Sequence, residues 1–524
     1  MRTNLTEAHL GEDGKPQYAT FLPALSSFYG SYVGKQRFSD AVPQSRIPSN
    51  WNNGVESINY LNPEEGQFQY KWSLYSAGHA DLNVDKHVPK EDMVRNRDPD
   101  SFLLGDSGGF QISKGVWPAD WKDPKCPKAE KKRMEVIKWM DKYMDYGMVL
   151  DIPTSVTLFE KGMKESGITT HQECLLATKI NNDHWMKHRT GECKLLNVLQ
   201  GLNHTDADYW YDQVKDYCDP KKYPDTHFNG WAFGGQNMSC AHLALRRFVV
   251  LAFDGMLQEG VHDLVHVLGI SKVEWALMLT DVQRAIRKNF NPNLMVTFDC
   301  ASPFLATANG QVYMDSIIED RKKWKYLMKP GIDDKKLARS NMSFGDAIVN
   351  AGLHDKFNDS PITDGLKVSD VCHYAPGDLN KIGKEGKTSW DSFSYAIQMA
   401  HNVWSHINTV QEANRKYDEG ICPKMLVDER FDRVYVSDII HEAFAADSKE
   451  KALAIIDQYS MLWTRVPGGQ RGFSGKKTIN PTTYFNNLFE TGEDDGAHVL
   501  HEDGEFTESE ESVLENLEDV SDID

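Results

Sequence analysis

The sequence predicts an α/β protein, a (β/α)8 TIM barrel, on three observations. Between Tyr18 and about Val410, short apolar runs alternate with longer amphipathic stretches, the pattern of parallel strands joined by crossover helices. The runs end in acidic, amide or small residues: Asp106-Ser107-Gly108-Gly109, Asp151-Ile152-Pro153-Thr154, Gln200-Gly201, Gly234-Gly235-Gln236, Gly269-Ile270 and Asp299-Cys300. These ends are 45, 49, 34, 35 and 30 residues apart, about one strand and helix each. In such a barrel all strand ends open onto one face, so six distant motifs become one pocket. A single such motif is ordinary loop punctuation; the ordered set carries the expectation.

The strands follow in order. Tyr18–Pro23, Ser101–Leu104, Met148–Leu150, Leu195–Leu199, Trp231–Phe233, Leu264–Leu268 and Leu294–Phe298 are the apolar runs, and one more strand is expected in the Tyr60 to Tyr75 region. Helices are expected over Thr170 to His188, His242 to Glu259 and Lys272 to Lys288, the last capped by Ser271. The barrel domain is read as 1–418 with an insertion at about 304–390, followed by a helical C-terminal addition over 419–490 and an acidic, disordered tail over 491–524.

The net charge of -19 is unevenly placed. From Thr491 to Asp524 there are 14 Asp and Glu and no Lys or Arg, so the rest of the chain carries only about -5. A polyanionic partner is therefore not excluded. The eight cysteines form no Cys-x-x-Cys pair, which argues for reduced thiols over a disulfide framework. No run of 18 apolar residues is present and Met1 to Glu7 lacks the apolar core of a signal peptide, so a cytoplasmic protein with no membrane partner is expected.

Two carboxylates in one pocket suit displacement at a sugar anomeric carbon. One attacks the carbon as positive charge develops on the ring, and the other handles the proton. Asp299 and Asp106 can divide that labour. Asp151, the Gln200 amide and the backbone N–H groups at Gly234 and Gly235 form a donor and acceptor set that matches guanine, with the glycines expected to let backbone approach a ligand closely. Cys300 is expected to pack, since neighbouring strand residues face opposite sides. His79 is a further candidate for the pocket wall.

Asp106-Ser107-Gly108-Gly109-Phe110-Gln111, Val198-Leu199-Gln200-Gly201, Gly230-Trp231-Ala232-Phe233-Gly234-Gly235, Val267-Leu268-Gly269-Ile270 and Phe298-Asp299-Cys300 resemble the ordered motifs of the guanine transglycosylase superfamily, whose type members act on transfer RNA. The resemblance covers roughly residues 100 to 303. It implies Asp299 as nucleophile on C1′, Asp106 as general acid and base, and Ser107, Asp151, Gln200, Gly234 and Gly235 as base-binding residues. It also implies exchange of guanine for a 7-deazaguanine, such as a preQ0-type base, with retention and without ATP or a redox cofactor.

The departures point to a branch. Members acting on transfer RNA carry basic Pro-Thr-Arg-x-Gly-Arg-like residues after the nucleophile, where this chain reads Ala301-Ser302-Pro303-Phe304-Leu305-Ala306-Thr307-Ala308-Asn309-Gly310. They also hold a structural zinc, for which this chain offers only Cys372, His373, His401 and His406, so loss of the zinc is expected over a rearranged site. The chain is thus most similar to the DNA-guanine transglycosylase branch of bacteria and viruses, which implies DNA as partner and, for a viral protein, the host cytoplasm as location. Transfer RNA as substrate, a non-catalytic nucleic-acid-binding subunit and an ordinary glycoside hydrolase remain the alternatives. Oligomers or partner proteins are left open. Lys125 to Lys142, Arg321-Lys322-Lys323-Trp324-Lys325-Tyr326 and Arg465 to Lys477 are the candidate backbone contacts, the second preferred for its interleaved aromatics.

Overall fold

Eight parallel strands make one sheet: β1 (Thr20–Pro23), β2 (Trp72–Ser76), β3 (Phe102–Asp106), β4 (Tyr146–Met148), β5 (Lys194–Leu199), β6 (Gly230–Phe233), β7 (Leu264–Val267) and β8 (Met295–Cys300). The computed structural model describes residues 1–38, 42–86, 91–351, 356–374, 388–429 and 433–466. Strand order is β1-β8-β7-β6-β5-β4-β3-β2, each strand beside its predecessor in sequence. The seam between β1 and β2 is held by an Ala24–Leu74 bridge, the Leu25 N–H donating to Leu74 O at 2.9 Å, and the Ser73 hydroxyl donating to Pro23 O at 2.7 Å. This is the (β/α)8 barrel that the run spacing predicts.

The linking helices are α1 (Ser27–Phe38), α2 (Asp92–Arg95), α3 (Gly109–Ser113), α4 (Pro127–Tyr143), α5 (Glu160–Ser166), α6 (His171–His188), α7 (His204–Val214), α8 (Ala241–Phe253) and α9 (Val273–Asn289). After β8 the chain makes α10 (Ser302–Ala308), an antiparallel hairpin of β9 (Gln311–Ile317) and β10 (Lys325–Pro330), then α11 (Phe344–Asn350) and α12 (Val368–Val371). Only then does α13 (Ser392–Asp418) take the eighth helical place, packed beside α9 and α1. Thr280 on α9 donates to Asn414 on α13 at 2.7 Å, and Asn402 on α13 accepts from the Tyr313 N–H of β9 at 2.9 Å.

Beyond α13, α14 (Val436–Phe444), α15 (Lys449–Gln458) and α16 (Ser460–Trp463) lie against α8 and α9. Ser437 donates to Asp281 at 3.1 Å, Asp457 pairs with Arg246 and with His242 Nε2 at 2.7 Å, and Phe444 meets Phe290 edge-on. Residues 467–490 of the expected C-terminal addition, and the acidic tail, lie outside the described residues. Among the described residues no helix is long and apolar enough to cross a membrane.

Several boundaries differ from expectation. β4 begins two residues earlier than the apolar run, because Gly147 belongs to it: a Cβ there would overlap the Met140 sulfur of α4, so helix and sheet pack closely only with glycine in the strand. α8 ends at Phe253 rather than Glu259, where Asp254 caps and Gly255 turns with φ +71. The N-cap of α9 is Lys272, which leaves Ser271 one residue outside the helix. Thr170 does cap α6, its side chain and Glu173 forming a reciprocal capping box.

Candidate active site

The strand ends converge. Asp106 closes β3, Asp299 is the penultimate residue of β8, Gln200 and Gly234 directly follow β5 and β6, and Asp151 stands three residues past β4. All of them, with Gly235 and Gly269, border one cavity of about 200 Å³. That is below the roughly 300–1,000 Å³ of pockets for drug-sized ligands, a volume for one small molecule. Its apolar wall is Phe110, Met148, Val198, Met238 and Leu268. Among the described residues the lining holds three carboxyl groups and no Lys, Arg or His.

The local sequence explains each carboxyl. Ser76, the last residue of β2, is in register with Asp106 across the β2–β3 ladder, and its hydroxyl donates to Oδ2 at 2.6 Å. The Gly108 N–H donates to Oδ1 at 3.3 Å. Burial lifts the Asp106 carboxyl above the ordinary carboxylate range; the hydrogen bonds from Ser76 and Gly108 oppose this, the Asp299 charge adds to it, and His79 opposes it. Asp151 is pushed up to about 7, chiefly by burial and further by the Asp106 charge, against the hydrogen bond from Gln200 Nε2 at 2.7 Å. Asp299 Oδ1 accepts from Gly269 N–H at 3.0 Å and lies 3.1 Å from His266 Nε2.

The two glycines after β6, which border the cavity, also serve the neighbouring amide. A Cβ at Gly234 would stand 2.5 Å from Gln200 Nε2, and one at Gly235, whose φ is +57, would stand 2.8 Å from Gln200 Oε1. They make room for the Gln200 side chain, which also accepts from Thr154 Oγ1 at 3.3 Å, and so aim its amide toward Asp151. Ser107 is not brought to the cavity: it is buried and its hydroxyl donates to Val149 O at 3.1 Å. His79 does not line the cavity either; its N–H donates to Ser76 O at 3.0 Å, behind Asp106.

Cys300 borders the cavity, but its sulfur lies 3.8 Å from His406 Nε2 and burial pushes its thiol up to about 12, which disfavours a thiolate nucleophile. Ser76, His266 and Met238 are partners that sequence reasoning misses. Ser76 has a signal in hindsight, since it stands one strand from Asp106 in register; a lone His inside an apolar strand reads as core.

The residues expected as remnants of a zinc site are not gathered. The Cys372 thiol donates to Ile332 O at 3.2 Å, and His373 lies 3.8 Å from Asp391, which pairs with Arg46. Buried His401 lies between Ser360 Oγ at 2.9 Å and Tyr313 O at 2.8 Å, and buried His406 between the hydroxyls of Tyr313 at 3.2 Å and Tyr326 at 3.1 Å. Among the described residues no group of three or more His, Cys, Asp or Glu could hold a metal ion.

The preferred basic run also differs. Trp324 is 2% and Tyr326 4% exposed, so neither ring is available to stack on a base, and Arg321 pairs with Glu429. The run misleads because burial alternates along it: Tyr326 on β10, and Trp324 just before it, are buried while Lys325 and Lys329 are half-exposed. On α4, Arg133 is buried and bonded to Asn181, and Lys131 and Lys132 pair with Glu135. Arg465 pairs with Asp428 at 3.4 Å; 467–477 lie outside the described residues. The Lys114 ammonium sits 5.4 Å from the ring of the cavity-lining Phe110 and 4.7 Å from that of Phe159. No family model and no curated protein matches this chain.

Proposed function

We propose that this protein is a DNA-guanine transglycosylase, exchanging guanine in DNA for a 7-deazaguanine through a covalent glycosyl-aspartate. The observation that carries the reading is the shared cavity: Asp106 and Asp299 border the same small space as the Asp151–Gln200 pair. Asp299 attacks C1′ and Asp106, held above the ordinary carboxylate range by burial, gives its proton to the departing guanine. After the bases exchange places, Asp106 takes the proton from the incoming 7-deazaguanine, which displaces Asp299 and restores the original configuration. Asp151 and Gln200 meet the polar edge of the base while Phe110, Met238 and Leu268 supply apolar contact with its faces.

DNA is favoured over transfer RNA by the segment after the nucleophile. Residues 302–308 form the largely buried helix α10 with no basic side chain, where the resembling transfer-RNA enzymes carry arginines. A duplex substrate must extrude its target nucleotide, at about a few kcal/mol of unstacking. Lys114, next to the cavity-lining Phe110, would then meet a phosphate of that nucleotide. The test is incubation of the purified protein with labelled guanine and, separately, DNA or transfer RNA. Label in DNA is expected; label in transfer RNA alone would overturn the choice of substrate, and release of free sugar from oligosaccharides would replace base exchange by glycoside hydrolysis.

Two variants probe the base-reading pair. Gly234→Ala places a methyl against Gln200 Nε2 and should displace that amide, lowering guanine affinity roughly 10- to 100-fold by calorimetry with an unchanged circular dichroism spectrum. Asp151→Asn should also lose guanine affinity, yet stabilise the fold above neutral pH. The sign follows from linkage: a carboxyl raised to about 7 in the folded chain is still protonated where the unfolded chain has already ionised, so stability falls as pH rises from the ordinary Asp value to about 7. The neutral amide avoids that loss, worth on the order of 4 kcal/mol. Thermal unfolding at pH 5 and pH 8 checks it; a gain that is equal at both pH values would contradict it.

A further inference from the structure

Asp299 takes both of its hydrogen bonds on one oxygen. Gly269 N–H and His266 Nε2 reach Oδ1, at 3.0 and 3.1 Å, and among the described residues no hydrogen bond reaches Oδ2. The other imidazole nitrogen, Nδ1, lies 2.9 Å from Thr297 Oγ1. This chain of contacts follows from the sheet. His266 stands opposite Thr297 in the β7–β8 register, and Thr297 and Asp299, two residues apart on β8, share a face. The ring therefore lies along that face and spans the two side chains. His266 and Thr297 are fully buried, whereas the Asp299 side chain keeps 12% of its surface open.

A carboxylate only accepts, so the proton sits on Nε2, and in the neutral ring Nδ1 then accepts from the Thr297 hydroxyl. The Thr297 hydroxyl, able to donate, thus completes the tautomer that donates to Asp299.

We propose that His266 is the positioning residue of the nucleophile. With the Gly269 N–H it holds Oδ1 as the future carbonyl oxygen, and leaves Oδ2 as the oxygen that bonds to C1′. The inference rests on the glycosyl-transfer reading. The Oδ2–C1′ bond forms as the C1′–N bond to guanine breaks; the bonding pair leaves with the base, and Asp106 supplies the proton. Oδ1 becomes the ester carbonyl, still facing both N–H donors. The incoming base then forms the new C1′–N bond, Oδ2 recovers its electron pair and Asp106 takes the proton from that base.

The test compares wild type, His266→Phe and His266→Asn for the rate of covalent adduct formation on DNA and for guanine affinity. Expected are a roughly 10- to 100-fold slower adduct in His266→Phe at unchanged guanine affinity, and substantial rescue in His266→Asn, which keeps an N–H donor. In a crystal structure of the trapped adduct, the sugar is expected on Oδ2. An unchanged rate in His266→Phe, a parallel loss of guanine affinity, no rescue by Asn, or a sugar on Oδ1 would each overturn the positioning role while leaving the exchange reaction standing. Absence of adduct and of exchange in the wild type would remove the glycosyl-transfer reading and this inference with it.

Discussion

Asp299→Ala eliminates base exchange, lowering its rate by about 10⁴-fold or more, because no other group in the cavity replaces a nucleophile that bonds to the sugar. The covalent adduct on a denaturing gel disappears with it. Two donors, His266 Nε2 and the Gly269 N–H, lose their acceptor, which costs about 1–3 kcal/mol of stability. A barrel with a continuous apolar core running from Leu5 to Val466 tolerates that loss. The variant therefore melts in a single, slightly lowered transition and still binds guanine through Asp151 and Gln200. Exchange at the wild-type rate would discard Asp299 as the nucleophile.

Asp106→Asn has the next largest effect, a loss of about 10²–10⁴-fold in guanine release, the range for removal of a general acid. Asparagine keeps the shape, with Oδ1 accepting from the Gly108 N–H and the amide N–H donating to the Ser76 hydroxyl in place of the bond it receives from it, so the fold is preserved and the loss reports on the proton. The pH profile separates this from a packing defect. Burial raises the carboxyl, so in the wild type the protonated form persists above the usual Asp range, and guanine release falls as pH climbs through that raised pKa. In Asp106→Asn this alkaline limb is absent. An alkaline limb retained in the variant would assign the proton to another group.

The strand ends are legible in the sequence because the fold places them: each apolar run must stop where the chain leaves the sheet, and Asp106, Asp151, Gln200, Gly234 and Asp299 stand at or just beyond those stops. What surrounds them is not. Ser76 and His266 reach the carboxylates through cross-strand register, which no linear spacing expresses until β2 and β7 are aligned with their neighbours. Ser107 illustrates the converse. It sits inside the motif, yet its hydroxyl is drawn to the Val149 carbonyl because that buried acceptor needs a donor. Trp324 and Tyr326 are read as surface aromatics from their basic neighbours, yet both are buried, Tyr326 by the pleat of β10 and Trp324 just before that strand.

The barrel's first strand, near residue 20, has its ladder with a strand near residue 298, and the last helix of the ring arrives only at 392–418. A nascent chain leaving the ribosome therefore has only the short β2 edge for its first strand until more than half of the polypeptide has been made, and the flank between α9 and α1 stays uncovered longer still. Non-local pairing of this kind slows folding and leaves apolar edges exposed to aggregation in the meantime. A synthesis arrested before α13 emerges gives a product that proteases digest and chaperones retain.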